Sequence, residues 1–509
     1  MEIVSSGGSA LANIIQGVGA TGGGGSGLGV SGFGLASGTV LKNGGEEGVF
    51  AGGTDISATV SSGGGLFIHS GGIASGATIK AGGLGVVESG SVLSGTTTVT
   101  SGGTIEFIGT DASNNGLKLL SGATGELGSG AFLTDAKISK GITLVILSGG
   151  IASGGSILAG GLGILESGGQ VTGDGSGSSL FIASGGTFEF ASGTNGGSNI
   201  QPLSGATLEV GSGAAFPVNK IDAGITVKVL SGAALTLSGA TISTGALVET
   251  LSSGTIIVSG ALADSGTLMA SGIGSLVEID SGAVVSGGAV VVGNGLVDVL
   301  SGGTANIAFR SNGSGGLEIA DTNANSSAFT GGIFGFGGVN HTNHKQFIDL
   351  VSVTSAAHTI SFSYTSAAGS GTLTVSSGGA VVASIDLVGA YTSSSFHIVS
   401  GISGTVAITD PAVLNGGTVE PAPVPSVVRH GIDLPNLAFG GPGTLAYAQT
   451  ANAGNAPTIL DGRHAATIVL LGNCIAGSFA LAAAPRPPLT AETEPSVGQE
   501  SPLAMPHRV

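Results

Sequence analysis

A small residue followed by two glycines returns at short, regular intervals through the first three hundred positions, and no other feature restricts the fold as much. Such corners begin at Ser62, Ser70, Ala81, Ser89 (with Ser91 in place of the second glycine) and Ser101, with gaps of 8, 11, 8 and 12 residues, so alternate corners stand 19–20 apart. The same beat returns at Ser148, Ala159 and Ser167. Glycine reaches backbone angles closed to other residues, so each pair marks a sharp turn. The segments between corners are about four to seven residues long, too short for stable helices, and rich in β-branched and small residues. Thr104-Ile105-Glu106-Phe107 alternates polar and apolar, the period of a strand with one buried face. Proline cannot donate to a ladder, and before Pro411 it occurs only at Pro202 and Pro217. A lone coil cannot bury its apolar face, whereas stacked coils can. The expectation is an all-β chain whose residues 1–306 wind into a parallel β-helix of about 19–20 residues per coil. Roughly fifteen coils at the strand spacing of about 4.8 Å would make a rod on the order of 70 Å long.

A longer period lies on top of the first. His69 to Ser91 matches Leu147 to Gly169 at about two thirds of positions, and Ser101-Gly-Gly-Thr-Ile-Glu-Phe107 returns as Ser184-Gly-Gly-Thr-Phe-Glu-Phe190. Blocks of about 80 residues, four coils each, have been duplicated. The 100 glycines follow no strict G-x-y period and proline is scarce, which excludes collagen. The regular Val, Ile and Thr exclude a flexible linker. With 13 Lys+Arg against 30 Asp+Glu, net charge −17, the chain is a poor partner for nucleic acid or anionic lipid. Cys474 is the one cysteine, so no disulfide or Cys-x-x-Cys metal site can form within the chain. No apolar run is long enough to span a bilayer as a helix, and Met1 to Gly8 reads as the inside of a repeat, not as a signal peptide.

The units SGGIASGATIKAGG and SGSVLSGTTTVTSGGT closely resemble the AIDA-type repeat (adhesin involved in diffuse adherence), most clearly from Ser62 to Ser301. The resemblance implies a right-handed parallel β-helix and the passenger or stalk of a bacterial autotransporter. It also implies export from a Gram-negative cell to the surface or the exterior. Nothing after residue 300 reads as a membrane β-barrel, so a separate outer-membrane translocator or exporter is expected.

The texture changes near Ala308. Residues 307–413 read as a β-rich module with strands at 316–321, 346–351, 359–364, 371–375 and 404–410. A Pro-rich linker is expected over 414–427 and a partial second copy of the module over 428–483. In that copy Ile432-Asp433-Leu434 echoes Ile348-Asp349-Leu350, and Ile468 to Gly472 echoes Ile385 to Gly389, offsets of 84 and 83 residues. From 484 to 509 the Pro- and Glu-rich tail reads as disordered and as a truncated or frameshifted end.

Candidate chemistry is sparse. His341 and His344 could ligate a metal, but no carboxylate or cysteine accompanies them locally, and a polar loop before the Phe347 strand is the simpler reading. A calcium roll needs tandem G-G-x-G-x-D units, and Gly52-Gly53-Thr54-Asp55 and Gly173-Asp174-Gly175 are isolated near misses. Gly22 to Gly27 and Gly335 to Gly338 superficially match nucleotide loops, yet neither belongs to a strand–helix unit. Polysaccharide lyases and hydrolases on β-helices need carboxylates that converge. Glu88, Glu106, Glu126, Glu166 and Glu189 instead recur with the repeat, as solvated positions do. No catalytic, cofactor-binding or metal site is therefore assigned, and no enzyme is expected. The expectation is an adhesin-like passenger or stalk whose multivalent repeat face meets glycans, host or matrix surfaces, or copies of itself. The alternatives are a purely structural stalk and a β-helix polysaccharide lyase or hydrolase.

Overall fold

The computed structural model describes residues 2–409 apart from 6, 17–26, 113–115, 174–178, 195–198, 217, 322–328, 338–344, 355–357, 366–368, 378, 390, 392–394 and 402–404, together with three later strands. Two compact units are present, Met1–Val427 and Val428–Val509. All described regular structure is β. In the first unit a parallel β-solenoid of about 14 turns carries mixed β-rich elements at its C-terminal end.

A typical turn places three short strands on three faces. One turn consists of Glu46–Val49, Thr54–Ile56 and Thr59–Val60. The next consists of Gly65–Ile68, Ile73–Ser75 and Thr78–Ile79, paired in parallel with the first on every face. Leu66 lies beside Gly85, Gly85 beside Ile105, and Ile105 beside Gly125, the steps of 19 and 20 read from the corners. Along each first-face strand the second and fourth residues point inward, as at Ile105 and Phe107 or Phe188 and Phe190. The core is thus a stack of thin aliphatic layers, one per rung.

The corners are laddered as well. Gly63 donates its N–H to the Gly82 carbonyl at 2.8 Å, Gly82 to Gly102 at 2.7 Å, Gly102 to Gly122 at 2.7 Å and Gly122 to Gly141 at 2.6 Å. These glycines hold φ between 70° and 86°, the left-handed region. The second glycine of a pair answers a different need. A Cβ on Gly83 would stand 2.7 Å from the Val60 carbonyl oxygen of the coil before. One glycine therefore turns the chain and the other lets successive coils approach.

At the next corner Gly38, Gly76 and Gly95 hold φ of 67°, 70° and 66°, and the exposed Ser57 takes the same place at φ 61°. A side chain in that region costs about 1–2 kcal/mol, part of which the greater freedom of an unfolded glycine cancels. Ser57→Gly is expected to raise stability by about 0.5–1 kcal/mol, read as a higher urea midpoint at unchanged slope.

The parallel ladder runs on past residue 306. Ile307 pairs with Ile333, and Gly316–Ile319 pairs in parallel with the strand Phe347–Thr354. Antiparallel strands then join the same faces. Thr405–Thr409 lies against Phe347–Thr354, and His397–Ser400 against Thr405–Thr409. His358–Thr365, Ser370–Ser377 and Ala380–Val388 form an antiparallel meander, whose last strand also pairs in parallel with Ile333–Phe334. Phe309, Phe336, Tyr391 and Phe396 pack with ring centroids 5.1–6.4 Å apart and fill this end. The Tyr391 hydroxyl donates to the Phe336 carbonyl at 2.9 Å, and buried Gln346 donates to the Arg310 carbonyl at 2.6 Å while accepting from Gly337. The second unit contains an antiparallel sheet of Thr444–Ala448, Ala456–Leu460 and Ala465–Thr467. The linker 414–427, the echoes at 432–434 and 468–472, Cys474 and the tail 484–509 lie outside the described residues.

Candidate binding face

Because successive rungs stay in register, an outward side chain stacks on its counterpart nineteen or twenty positions away. On the first face Thr104, Thr124 and Thr143 follow one another, and after Leu162 the column resumes with Thr187, Thr207 and Thr226. Two positions along each strand runs an acidic column: Glu106 and Glu126, then Val145 and Ile164, then Glu189 and Glu209, Lys228 and Glu249. The carboxylates Glu106, Glu126 and Glu189 thus come into one file, interrupted by two apolar rungs. Glu209, Lys228 and Glu249 extend it.

The file carries its own electrostatics. Partial burial raises Glu106 above the usual carboxylate range. Glu126 is raised by burial and then by the charges of Glu106 and Glu166, and Glu189 by burial and then by Glu209 and Glu166. A like charge one rung away disfavours ionisation, as Glu106 does at Glu126 and Glu209 at Glu189. Lys228 Nζ lies 3.8 Å from Glu209. Glu88 stands apart from the file and meets His69 Nδ1 at 3.0 Å, while the His69 ring stacks on Phe50 at 4.5 Å.

Other acids are buried. On the second face Glu278, Asp298, Glu318 and Asp349 occupy successive rungs, and the last three are buried. The Thr405 hydroxyl donates to Asp349 at 2.6 Å. Asp264 is interior and accepts the Gly266 N–H at 3.0 Å. Asp55 belongs to no calcium loop: it points into the solenoid together with Glu47. The sequence signal for that placement was available, since Glu47 aligns with Leu28 and Leu66, and Asp55 with Ala36 and Ala74.

His341, His344, Asp174 and Gly22 to Gly25 lie outside the described residues. Among the described residues no group of three or more His, Cys, Asp or Glu could hold a metal ion. No helix among them is long and apolar enough to cross a membrane.

No protein-family model matches the chain, and no curated protein does. Among solved structures it is similar to the crystal structure of a TibC-catalysed hyper-glycosylated TibA fragment. The identity is 22%, the match covers 64% of this chain and 99% of that one, and the TM-score is 0.32. The solenoid is accordingly read from the chain's own strand pairing.

Proposed function

We propose that the chain is a secreted or surface-displayed adhesin-like stalk that binds through repetition and performs no catalysis. What supports this reading most is the register: within a solenoid of about 14 turns, outward Thr recurs on six first-face rungs from Thr104 to Thr226 and Glu on five from Glu106 to Glu249. A rigid array of identical weak sites multiplies affinity without a deep pocket. The repeats that resemble AIDA-type units point the same way. Glycans, matrix surfaces and further copies of the chain are the partners such a polar, ridged face suits, and an outer-membrane translocator or exporter distinct from this chain would deliver it.

The test is a length series displayed on beads, from which one, two or four whole coils are removed. Retention on glycan- or matrix-coated surfaces is expected to fall progressively with each coil lost, with no single residue abolishing it. Retention that ignores coil number and vanishes with one substitution would replace the array by a discrete site. No retention at any length would leave the purely structural stalk.

A further inference from the structure

We propose that Glu47 and Asp55 form a proton-binding site inside the solenoid, which keeps the N-terminal coils closed while its protons are in place and releases them when the protons leave.

The placement follows from register. Glu47 is the second residue of the first-face strand Glu46–Val49, between Leu28 on the coil before and Leu66 on the coil after. Asp55 is the middle residue of Thr54–Ile56, between Ala36 and Ala74. Both acids sit on one rung, both point inward, and both are 0% exposed. None of their four carboxylate oxygens, nor the hydroxyl of equally buried Thr39, has a hydrogen-bond partner of good geometry.

What faces the pair is apolar. Leu28, Ala36 and Leu41 come from the coil before, Leu66, Ala74 and Ile79 from the coil after, and Val49, Ala58 and Val60 from the same coil, all buried. The ionisable groups on these elements, Lys42, Glu46, His69 and Lys80, are not buried and alternate to the outside. The segment 17–26 contains no ionisable residue. No cation of the described neighbourhood is therefore placed to neutralise the acids, and two bare anions in such an interior are untenable. Protons are the counter-ions that fit.

Burial pushes Glu47 up to about 8, with the Asp55 charge adding and Thr39 opposing. Burial pushes Asp55 up to about 7, opposed by the backbone of Ala58 and Ile56. The folded chain thus holds more protons than the unfolded one between the ordinary values, 4.5 and 3.8, and these raised ones. Stability falls as pH rises through that window and is lowest above it. In a solenoid each coil is held only by its neighbours. Loss of the protons loosens the rung 46–60 and the coils before it, and spares the rod beyond.

The experiment is amide hydrogen exchange on the full chain at pH 5.5 and pH 9, beside the double variant Glu47→Leu/Asp55→Ala, which restores the residue types of the flanking rungs. At pH 5.5 the two proteins should protect residues 27–60 alike. At pH 9 the wild type should exchange more than about tenfold faster there than the variant, because only the wild type has ionised acids to enclose. Residues 62–300 should match throughout. Equal protection at pH 9 overturns the proposal. So does recovery of wild-type protection at pH 9 on adding calcium, which would make the pair a cation site. Infrared spectroscopy at pH 6 decides independently, should the double variant fold poorly. The wild type should show a protonated-carboxyl band that is reduced in Glu47→Gln and in Asp55→Asn, and absence of that band refutes the reading.

Discussion

Excising residues 122–140 should leave a folded rod that is one rung shorter, whereas excising 122–131 alone should destroy the fold around the cut. The longer deletion removes 19 residues and joins Ser121 directly to Gly141. Gly122 and Gly141 already stack in the same corner column, with Gly122 donating to Gly141 at 2.6 Å. After the cut Gly141 takes the place of Gly122, and the strand Thr143–Ile146 moves onto Thr104–Ile108. Leu144 and Ile146 fall on Ile105 and Phe107, apolar on apolar. The cost should be one rung's share of the net stability, about 1–3 kcal/mol at roughly 0.05–0.15 kcal/mol per residue. The ten-residue deletion takes away the first-face strand Thr124–Leu127 and leaves Phe132–Thr134 behind it. That coil then has two sides where its neighbours have three, and the first-face ladder is broken. Circular dichroism with limited proteolysis distinguishes the outcomes. The rod survives the first cut intact and is cleaved at the second. Equal tolerance of both cuts would mean that the rungs are not stacked in the register described.

Much of this architecture was legible because glycine is needed at fixed places for reasons independent of the rest of the sequence. The corner columns are visible as letters, and their spacing gives the coil length. The strands expected at 346–351, 359–364, 371–375 and 404–410 overlap Phe347–Thr354, His358–Thr365, Ser370–Ser377 and Thr405–Thr409, whereas Ala380–Val388 and His397–Ser400 have no counterpart among the expected strands. What escaped was whatever depends on register instead of composition. The ladder's continuation past 306 is hidden by long excursions: Ile307 pairs with Ile333 and Gly316 with Phe347, 26 and 31 positions on. Such intervals break the beat, although the backbone still returns to the same face. The acids show the same difficulty from another side. Glu46 and Glu47 are adjacent and chemically alike, yet one is exposed and the other is enclosed. Only alignment of the rung with Leu28 and Leu66 separates them. Glu106, Glu126 and Glu189 could be foreseen as recurrent, but their alignment in one file with Glu209 arises from stacking, as does the raising, beyond that of burial, of Glu126 by Glu106 and of Glu189 by Glu209.

From Leu66 to Phe188 the interior column of the first face makes a further demand, that large and small residues alternate. Gly85, Gly125 and Gly163 stand in it between Leu66, Ile105, Leu144 and Phe188. Phe188 shows why. Its ring is fully buried, meets Phe190 edge-on at 5.2 Å, and leans over the neighbouring rung so that a Cβ on Gly163 would come within 2.7 Å of Cδ2. Phe188→Ala should therefore cost about 3–5 kcal/mol, because it removes the ring and leaves a cavity that the stacked backbone cannot close. Gly163→Val should cost about 1–3 kcal/mol by forcing extra atoms against the ring and against Ile157 Cδ1, which would stand 2.5 Å from the added Cβ. The double variant should lose less than the sum of the two, by at least about 0.5 kcal/mol, since the valine occupies space the ring has left. Equilibrium urea unfolding of the four proteins closes the cycle. Strict additivity would show that the two side chains do not compete for one volume, and the tight alternation of interior layers would have to be given up.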